Sequence, residues 1–115
     1  MEDCIFCKIA AGQIPANKVY EDDRVLAFED LNPQMPVHTL VIPKSHYRNI
    51  ADGIPDDELG YLMNTVKKVA EIKGVAESGF RVIVNTGADA RQTVHHVHVH
   101  VLGGGLMNVD SPAQV

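Results

Sequence analysis

The sequence has little of what marks a protein for a charged polymer or a membrane. Basic residues are the minority: 10 Lys and Arg stand against 15 Asp and Glu, for a formal net charge of −5. That balance argues against nucleic acid or an anionic lipid surface as the main partner, although a local site in an acidic protein can still hold a small anion. No apolar run approaches the ~20 residues needed to cross a bilayer. Met1-Glu2-Asp3 is acidic where a secretory leader starts basic. The expectation is a cytoplasmic chain without a membrane partner. Cysteine is scarce, with Cys4 and Cys7 alone. In a reducing compartment such a pair reads as thiols kept for metal or redox use, not as a structural disulfide. There is no internal repeat and no low-complexity stretch. A chain of 115 residues leaves room for one domain with a modest core, so dimerisation would not be surprising.

What the chain does have is histidine in one place. Four of its 6 histidines lie between His95 and His100. In His95-His96-Val97-His98-Val99-His100-Val101-Leu102 the apolar residues alternate, which predicts a β-strand. His96, His98 and His100 then share one face, about 6.5–7 Å apart along the strand. Val97, Val99 and Val101 share the other, with His95 starting that apolar face. The apolar face is too continuous for an exposed ribbon, so the strand is expected to be central.

The rest of the pattern supplies a frame for it. Residues 3–12 read as a short helix with Asp3 as N-cap, Ile5, Phe6 and Ile9 as its apolar stripe and Gly12 as its stop. Lys18–Glu21 and Arg24–Glu29 read as a hairpin around Asp22-Asp23. Asp30 to Pro36 is a loop stiffened by two prolines. His38–Ile42 reads as a central strand, ended by Pro43. The one long helix is predicted over 55–73, with Pro55 and three acidic residues in its first turn and Gly74 as cap. Its stripe is Leu59, Leu62, Met63, Val66, Val69 and Ala70. Phe80–Asn85 is the next strand, 86–93 a polar loop, and the histidine strand follows. The order α, β, β, β, α, β, β indicates an α+β fold. It predicts an antiparallel sheet of five strands, one side covered by the long helix and the last two strands neighbours.

Three uses compete for the three imidazoles: a metal site on the strand, catalysis by one imidazole with the others as donors, or a merely solvated strand. Here the residues bring in a resemblance. His96-Val97-His98-Val99-His100-Val101-Leu102 resembles the signature of the histidine triad superfamily. So, in order, do Asp3-Cys4-Ile5-Phe6-Cys7-Lys8-Ile9, Ile14-Pro15, Val19-Tyr20-Glu21-Asp22, Ala27-Phe28-Glu29-Asp30-Leu31-Asn32-Pro33, His38-Thr39-Leu40-Val41-Ile42-Pro43-Lys44-Ser45-His46 and Gln92-Thr93-Val94. The likeness spans residues 3–104 and is nearest the histidine triad nucleotide-binding, purine nucleoside phosphoramidase branch.

The resemblance implies one domain over 1–115, with residues 105–115 as a tail, and a homodimer. It implies that His98 attacks the α-phosphate of a purine nucleoside phosphoramidate or related nucleotide, giving a covalent nucleotidyl-histidine that water hydrolyses. No cofactor is needed for that step. An ordinary imidazole is mostly neutral near pH 7 and needs no further base to act as a nucleophile. His100 would donate to phosphate and leaving group, and His96 would orient or stabilise. Asp30 matches the acidic residue that accepts the ribose hydroxyls; a plain turn aspartate is the alternative. Ile5, Phe6, Ile9, Phe28 and Leu31 match the apolar slot around the base, with ordinary core as the other reading. Asn85 and Thr93 match polar contacts to phosphate and ribose, Gln92 the glutamine that shapes the preceding loop or touches the leaving group, and His38 a supporting histidine behind the triad. In members that keep the cysteine pair, a structural zinc is held at positions matching Cys4, Cys7, His46 and His96. Two unrelated thiols remain the alternative.

Three departures bear on leaving-group specificity. Ala90-Arg91 stands where the pattern has two glycines, His95 replaces an aromatic, and Gly105 replaces an arginine. A dinucleoside polyphosphate hydrolase, a nucleotide-binding regulator and a zinc-dependent hydrolase are the competing functions.

Overall fold

The computed structural model describes residues 3–108. Its elements follow the predicted order: α1 (Ile5–Ala10), β1 (Lys18–Glu21), β2 (Val25–Glu29), β3 (Val37–Pro43), α2 (Asp56–Ile72), β4 (Phe80–Ile83) and β5 (Val99–Gly103). The strands form one antiparallel sheet in the order β1-β2-β3-β5-β4. β5 is therefore interior, flanked by β3 and β4, as the apolar alternation requires. Residues of the tail from 109 onward lie outside the described residues. No helix among the described residues is long and apolar enough to cross a membrane.

The sheet is covered on both faces. On one, Val25, Ala27, Val41, Val99 and Val101 pack against Leu62, Val66 and Val69 of α2. The helix stripe thus reaches the core as its spacing predicts, although Met63 is 38% exposed and Thr65 is buried. Thr65 is accommodated because its hydroxyl donates to the Tyr61 carbonyl one turn back, 2.8 Å away. On the other face, Phe6 and Ile9 of α1 pack on Leu26, Phe28, Leu40 and Ile42. Both helices end on a glycine at positive φ, Gly12 and Gly74. At each, the following residue's N–H reaches back five residues to a helical carbonyl: Gln13 to Lys8 and Val75 to Ala70, both at 2.9 Å.

Several boundaries differ from expectation. The N-cap of α1 is Cys4, not Asp3: its Sγ accepts the Cys7 N–H at 3.1 Å. Pro55 caps α2 from outside, not within its first turn. The largest difference concerns the histidines. The regular strand begins at Val99, so only His100 lies on β5. The backbone bends at Val94, His95 and His96, and His95 is exposed instead of starting an apolar face. The cause is a long-range bond: the Val97 N–H donates to the Tyr47 carbonyl at 2.7 Å, which takes this stretch out of the β3 ladder.

The β1–β2 turn is held by one carboxylate. Asp22 Oδ1 accepts the Arg24 and Val25 N–H groups at 2.8 and 3.0 Å. Its Oδ2 accepts the hydroxyls of Tyr20 and Tyr61, the latter from α2. Burial pushes this carboxyl up, but those hydrogen bonds outweigh it and hold it well below the usual carboxylate range. Asp22→Asn is expected to lower the unfolding free energy in urea by about 2 kcal/mol at pH 7. A carboxyl depressed in the native state stabilises above its unfolded pKa of about 3.9 and loses that effect as pH falls toward the native value. The gap between wild type and variant should therefore be level from pH 8 to 5 and shrink below about 4. A gap that is already closed at pH 6 would refute this account.

Candidate functional site

The bend before β5 brings all three triad histidines inside. His96, His98 and His100 are 0, 2 and 0% exposed. The rings of His98 and His100 sit 5.2 Å apart, closer than an extended strand would hold them. In each ring the hydrogen bond at one nitrogen sets the tautomer, and with it the character of the other.

His98 Nδ1 lies 2.7 Å from the carbonyl oxygen of His96. A carbonyl only accepts, so Nδ1 carries the proton and Nε2 keeps its lone pair. For His100 the direction is set one residue further back. The Gln34 N–H donates to His38 Nδ1 at 3.0 Å. Neutral His38 therefore holds its proton on Nε2, 2.9 Å from His100 Nδ1. His100 Nδ1 accepts, and its proton stays on Nε2. The two neighbouring imidazoles thus have opposite character at the same atom, a lone pair on His98 and a donor on His100. His38 is fully covered, and burial pushes its pKa down, against the pull of the Asp30 and Glu29 carboxylates. Asp30 Oδ2 lies 3.3 Å from His38 Nε2. Asp30 Oδ1 accepts the Asn32 N–H at 2.8 Å, as a turn aspartate does. Its Oδ2 is buried without a hydrogen-bond partner, facing the His38 Nε2–H that is spent on His100.

Asp30 borders a cavity of about 340 Å³. Ile5, Phe6, Ile9, Phe28 and Leu31 line it, as does Thr93. Phe6, Ile9 and Phe28 are at once slot and core, while Leu31 at 90% exposure stands at the rim. Phe6 joins the slot to the triad, its ring edge-on to Phe28 at 5.4 Å and to His98 at 5.1 Å. Residue pattern did not single out Leu40, Ile14 and Val94, which also line the slot. Ile14 and Leu40 had a signal in the matching segments; Val94 had none beyond its place before the histidines. Asn85 is half-buried two residues past β4 and is not among the lining residues. Gln92 is buried, with its amide spent on the loop: Oε1 accepts the Gly87 N–H, and Nε2 donates to the Arg48 and Val94 carbonyls. Arg91, at φ 64°, occupies the left-handed region that glycine fills at little cost. The departure from two glycines thus falls on a backbone position that favours one, at an expected cost of about 1 kcal/mol.

A second cluster lies on the far side of α1. His96 Nε2 donates to the Pro43 carbonyl at 2.8 Å, which turns an unprotonated Nδ1 toward the sulfurs. That Nδ1 is 3.3 Å from both Cys4 and Cys7 Sγ and 3.2 Å from His46 Nδ1. His46 Nδ1 is 3.1 Å from Cys7 Sγ. The four ligand atoms all lie within 4.8 Å of one another. Zinc–sulfur bonds near 2.3 Å and zinc–nitrogen bonds near 2.0–2.1 Å give tetrahedral edges of about 3.3–3.8 Å. The separations here fall at or just below that range. Two soft sulfurs and two imidazoles closing on one point fit a four-coordinate metal ion, with the Pro43 carbonyl orienting one ligand. Burial pushes the Cys7 thiol up to about 11, with Cys4 adding to the shift. Burial pushes His96 down to about 4, partly countered by its bond to Pro43. Both shifts favour the neutral form, the Cys7 thiol and the unprotonated His96 ring.

The sequence matches the family model described as "HIT domain" over residues 11–106. Among solved structures, the chain is similar to a histidine triad protein from Clostridium difficile. The two are 53% identical with a TM-score of 0.87, over 96% of this chain and 98% of that one. It is also similar to a HIT family hydrolase from Legionella pneumophila Philadelphia 1, at 43% identity and a TM-score of 0.88 over 94% and 98%. The 14 kDa zinc-binding protein of Brassica juncea is 46% identical over 115 residues, 92% of this chain and 96% of that protein.

Proposed function

The chain belongs to the HIT-domain family, and from that premise we propose that it is a nucleotide-binding hydrolase of purine nucleoside phosphoramidates. The observation that carries the reading is the tautomer of His98. Its Nδ1–H is held by the His96 carbonyl, which leaves a nucleophilic Nε2 next to an apolar slot with a carboxylate at its border. The base lies between Phe6, Ile9 and Phe28, and the ribose hydroxyls donate to Asp30 Oδ2, the buried oxygen without a partner. That leaves the α-phosphate at the triad. His98 Nε2 attacks phosphorus; a nitrogen–phosphorus bond to histidine forms as the substrate's P–N bond breaks. The leaving nitrogen takes up a proton from solvent as it departs, and the water of the second step returns one to solvent as its oxygen bonds phosphorus. Water then hydrolyses the histidine–phosphorus bond and releases the nucleoside monophosphate. His100 Nε2–H donates to the phosphoryl oxygens where charge builds in both steps. Its tautomer is set by His38, and that is the supporting role of His38.

The test is direct. Protein incubated with adenosine 5′-phosphoramidate and quenched in the steady state should carry one adenylyl group on His98 by mass spectrometry, and adenosine monophosphate should accumulate. Turnover without an adduct at any time point would refute the covalent route. Faster cleavage of a dinucleoside polyphosphate would change the substrate class and leave the nucleophile in place.

The reading includes a structural zinc at Cys4, Cys7, His46 and His96, supported by their convergence and by the zinc-binding relative. With four protein ligands the ion has no open position for substrate, which disfavours a zinc-dependent hydrolase. It also includes a homodimer. β4 lies at the sheet edge, and Val82 is 38% exposed there. An edge strand that keeps Val82 exposed, with Arg81 as its single charge, is a surface that proteins cover. Sedimentation equilibrium should give twice the chain mass; the mass of a single chain would refute it.

A further inference from the structure

We propose that the Cys4–Cys7–His46–His96 site acts as an effector site: zinc and nucleotide bind with positive coupling. The inference rests on the nucleotide-binding reading above. It goes beyond a structural brace, since a brace alone need not change affinity for a ligand.

Two connections carry it. The first is α1. This helix has six residues, too short to hold its shape without tertiary contacts. Its first turn carries Cys4 and Cys7 toward the metal site, while Ile5, Phe6 and Ile9 form one wall of the nucleoside slot. Whatever fixes the first turn fixes the wall. The second is His96. Its ring faces the sulfurs through Nδ1 and is pinned by the Pro43 carbonyl through Nε2. Its own carbonyl holds the Nδ1–H of His98 at 2.7 Å. Phe6 bridges both connections, its ring edge-on to His96 at 6.2 Å and to His98 at 5.1 Å.

Without a cation, Cys4, Cys7 and His46 meet through weak sulfur hydrogen bonds, and only His96 is pinned elsewhere, by Pro43. The six residues of α1 rest on the packing of Phe6 and Ile9, so the residual motion of its first turn is lost when nucleotide enters. With four metal–ligand bonds in place, that ordering has already occurred, and nucleotide binds without its cost. Linkage makes the effect reciprocal: nucleotide tightens metal by the same factor.

The experiment uses the full chain and two probes, zinc and adenosine monophosphate. Calorimetric titration of nucleotide into zinc-loaded protein should give an affinity about tenfold tighter than into chelator-treated protein. Chelator competition on the loaded protein should show zinc held about tenfold tighter when nucleotide is saturating. The second measurement decides the matter even where metal-free protein unfolds. Equal zinc affinity with and without bound nucleotide overturns the coupling and leaves the nucleotide-binding reading standing. Loaded protein that binds no adenosine monophosphate overturns both. A chain that takes up no zinc overturns the coupling.

Discussion

His98→Ala is expected to slow hydrolysis of adenosine 5′-phosphoramidate by at least about 10⁴-fold, with adenosine monophosphate still bound within a few-fold of wild type. The split follows from where the side chain sits. On the proposed reading the nucleoside is held by the slot and by Asp30, and His98 is not among the residues that line that slot. In the bond-forming step His98 Nε2 is the only nucleophile. His100 cannot substitute, because the His38 Nε2–H occupies its Nδ1 and its own proton is on Nε2. Truncating a side chain that is 2% exposed also leaves a cavity beside Phe6, so a loss of activity could reflect a loosened site. His98→Asn separates the two effects. Its amide can still donate to the His96 carbonyl, but it carries no imidazole nitrogen to attack phosphorus. Both variants should be inactive, with the asparagine form nearer wild type in thermal unfolding. A His98→Asn protein that hydrolyses within tenfold of wild type would remove His98 from the reaction.

The fold could be read in outline because each element satisfies its local rule. The helix stripe of α2 meets the sheet as its spacing requires, and the apolar alternation of Val99 and Val101 puts them under it. The misreading of 95–98 as strand has a specific origin. Alternation reports which side chains are buried, and His96 and His98 are buried indeed. It does not report which backbone groups they are buried against, and here the Tyr47 carbonyl takes the Val97 N–H. The same blindness applies to the site. Residue types and spacing pointed to the histidine face and the Cys4–Cys7 pair, and the family resemblance to His98, His100 and the four sulfur and nitrogen ligands. What sets their chemistry is the Pro43 and His96 carbonyls and the Gln34 N–H. Every residue owns such groups, so no side-chain pattern can reveal them. Gln92 shows the converse: its place before the triad left loop shaping or leaving-group contact open, and three hydrogen bonds commit its amide to the loop.

Removal of zinc is the second large effect expected. A site held at 100 to 1,000 times its dissociation constant stabilises the native chain by about 2.7–4.1 kcal/mol. For a chain of this size that corresponds to a fall in Tm of roughly 10–16 °C on chelation. Cys7→Ser should show much of the same fall, and chelator should then have little further effect. The pH dependence discriminates this from loss of packing. The Cys7 thiol is pushed up to about 11 by burial and by Cys4, so without metal Cys7 keeps its proton, and metal uptake must expel it. The stabilisation by zinc should therefore grow from pH 6 to pH 8 and fade on acidification, where protons compete with the metal for the Cys7 sulfur. A packing defect at Cys7 would give a penalty level across that range. The same competition sets α1 apart from the rest of the fold: on chelation its amides should exchange first, because Phe6 and Ile9 then hold the helix alone. Chelation that leaves Tm unchanged in protein carrying one zinc per chain would mean the ion is bound but structurally idle.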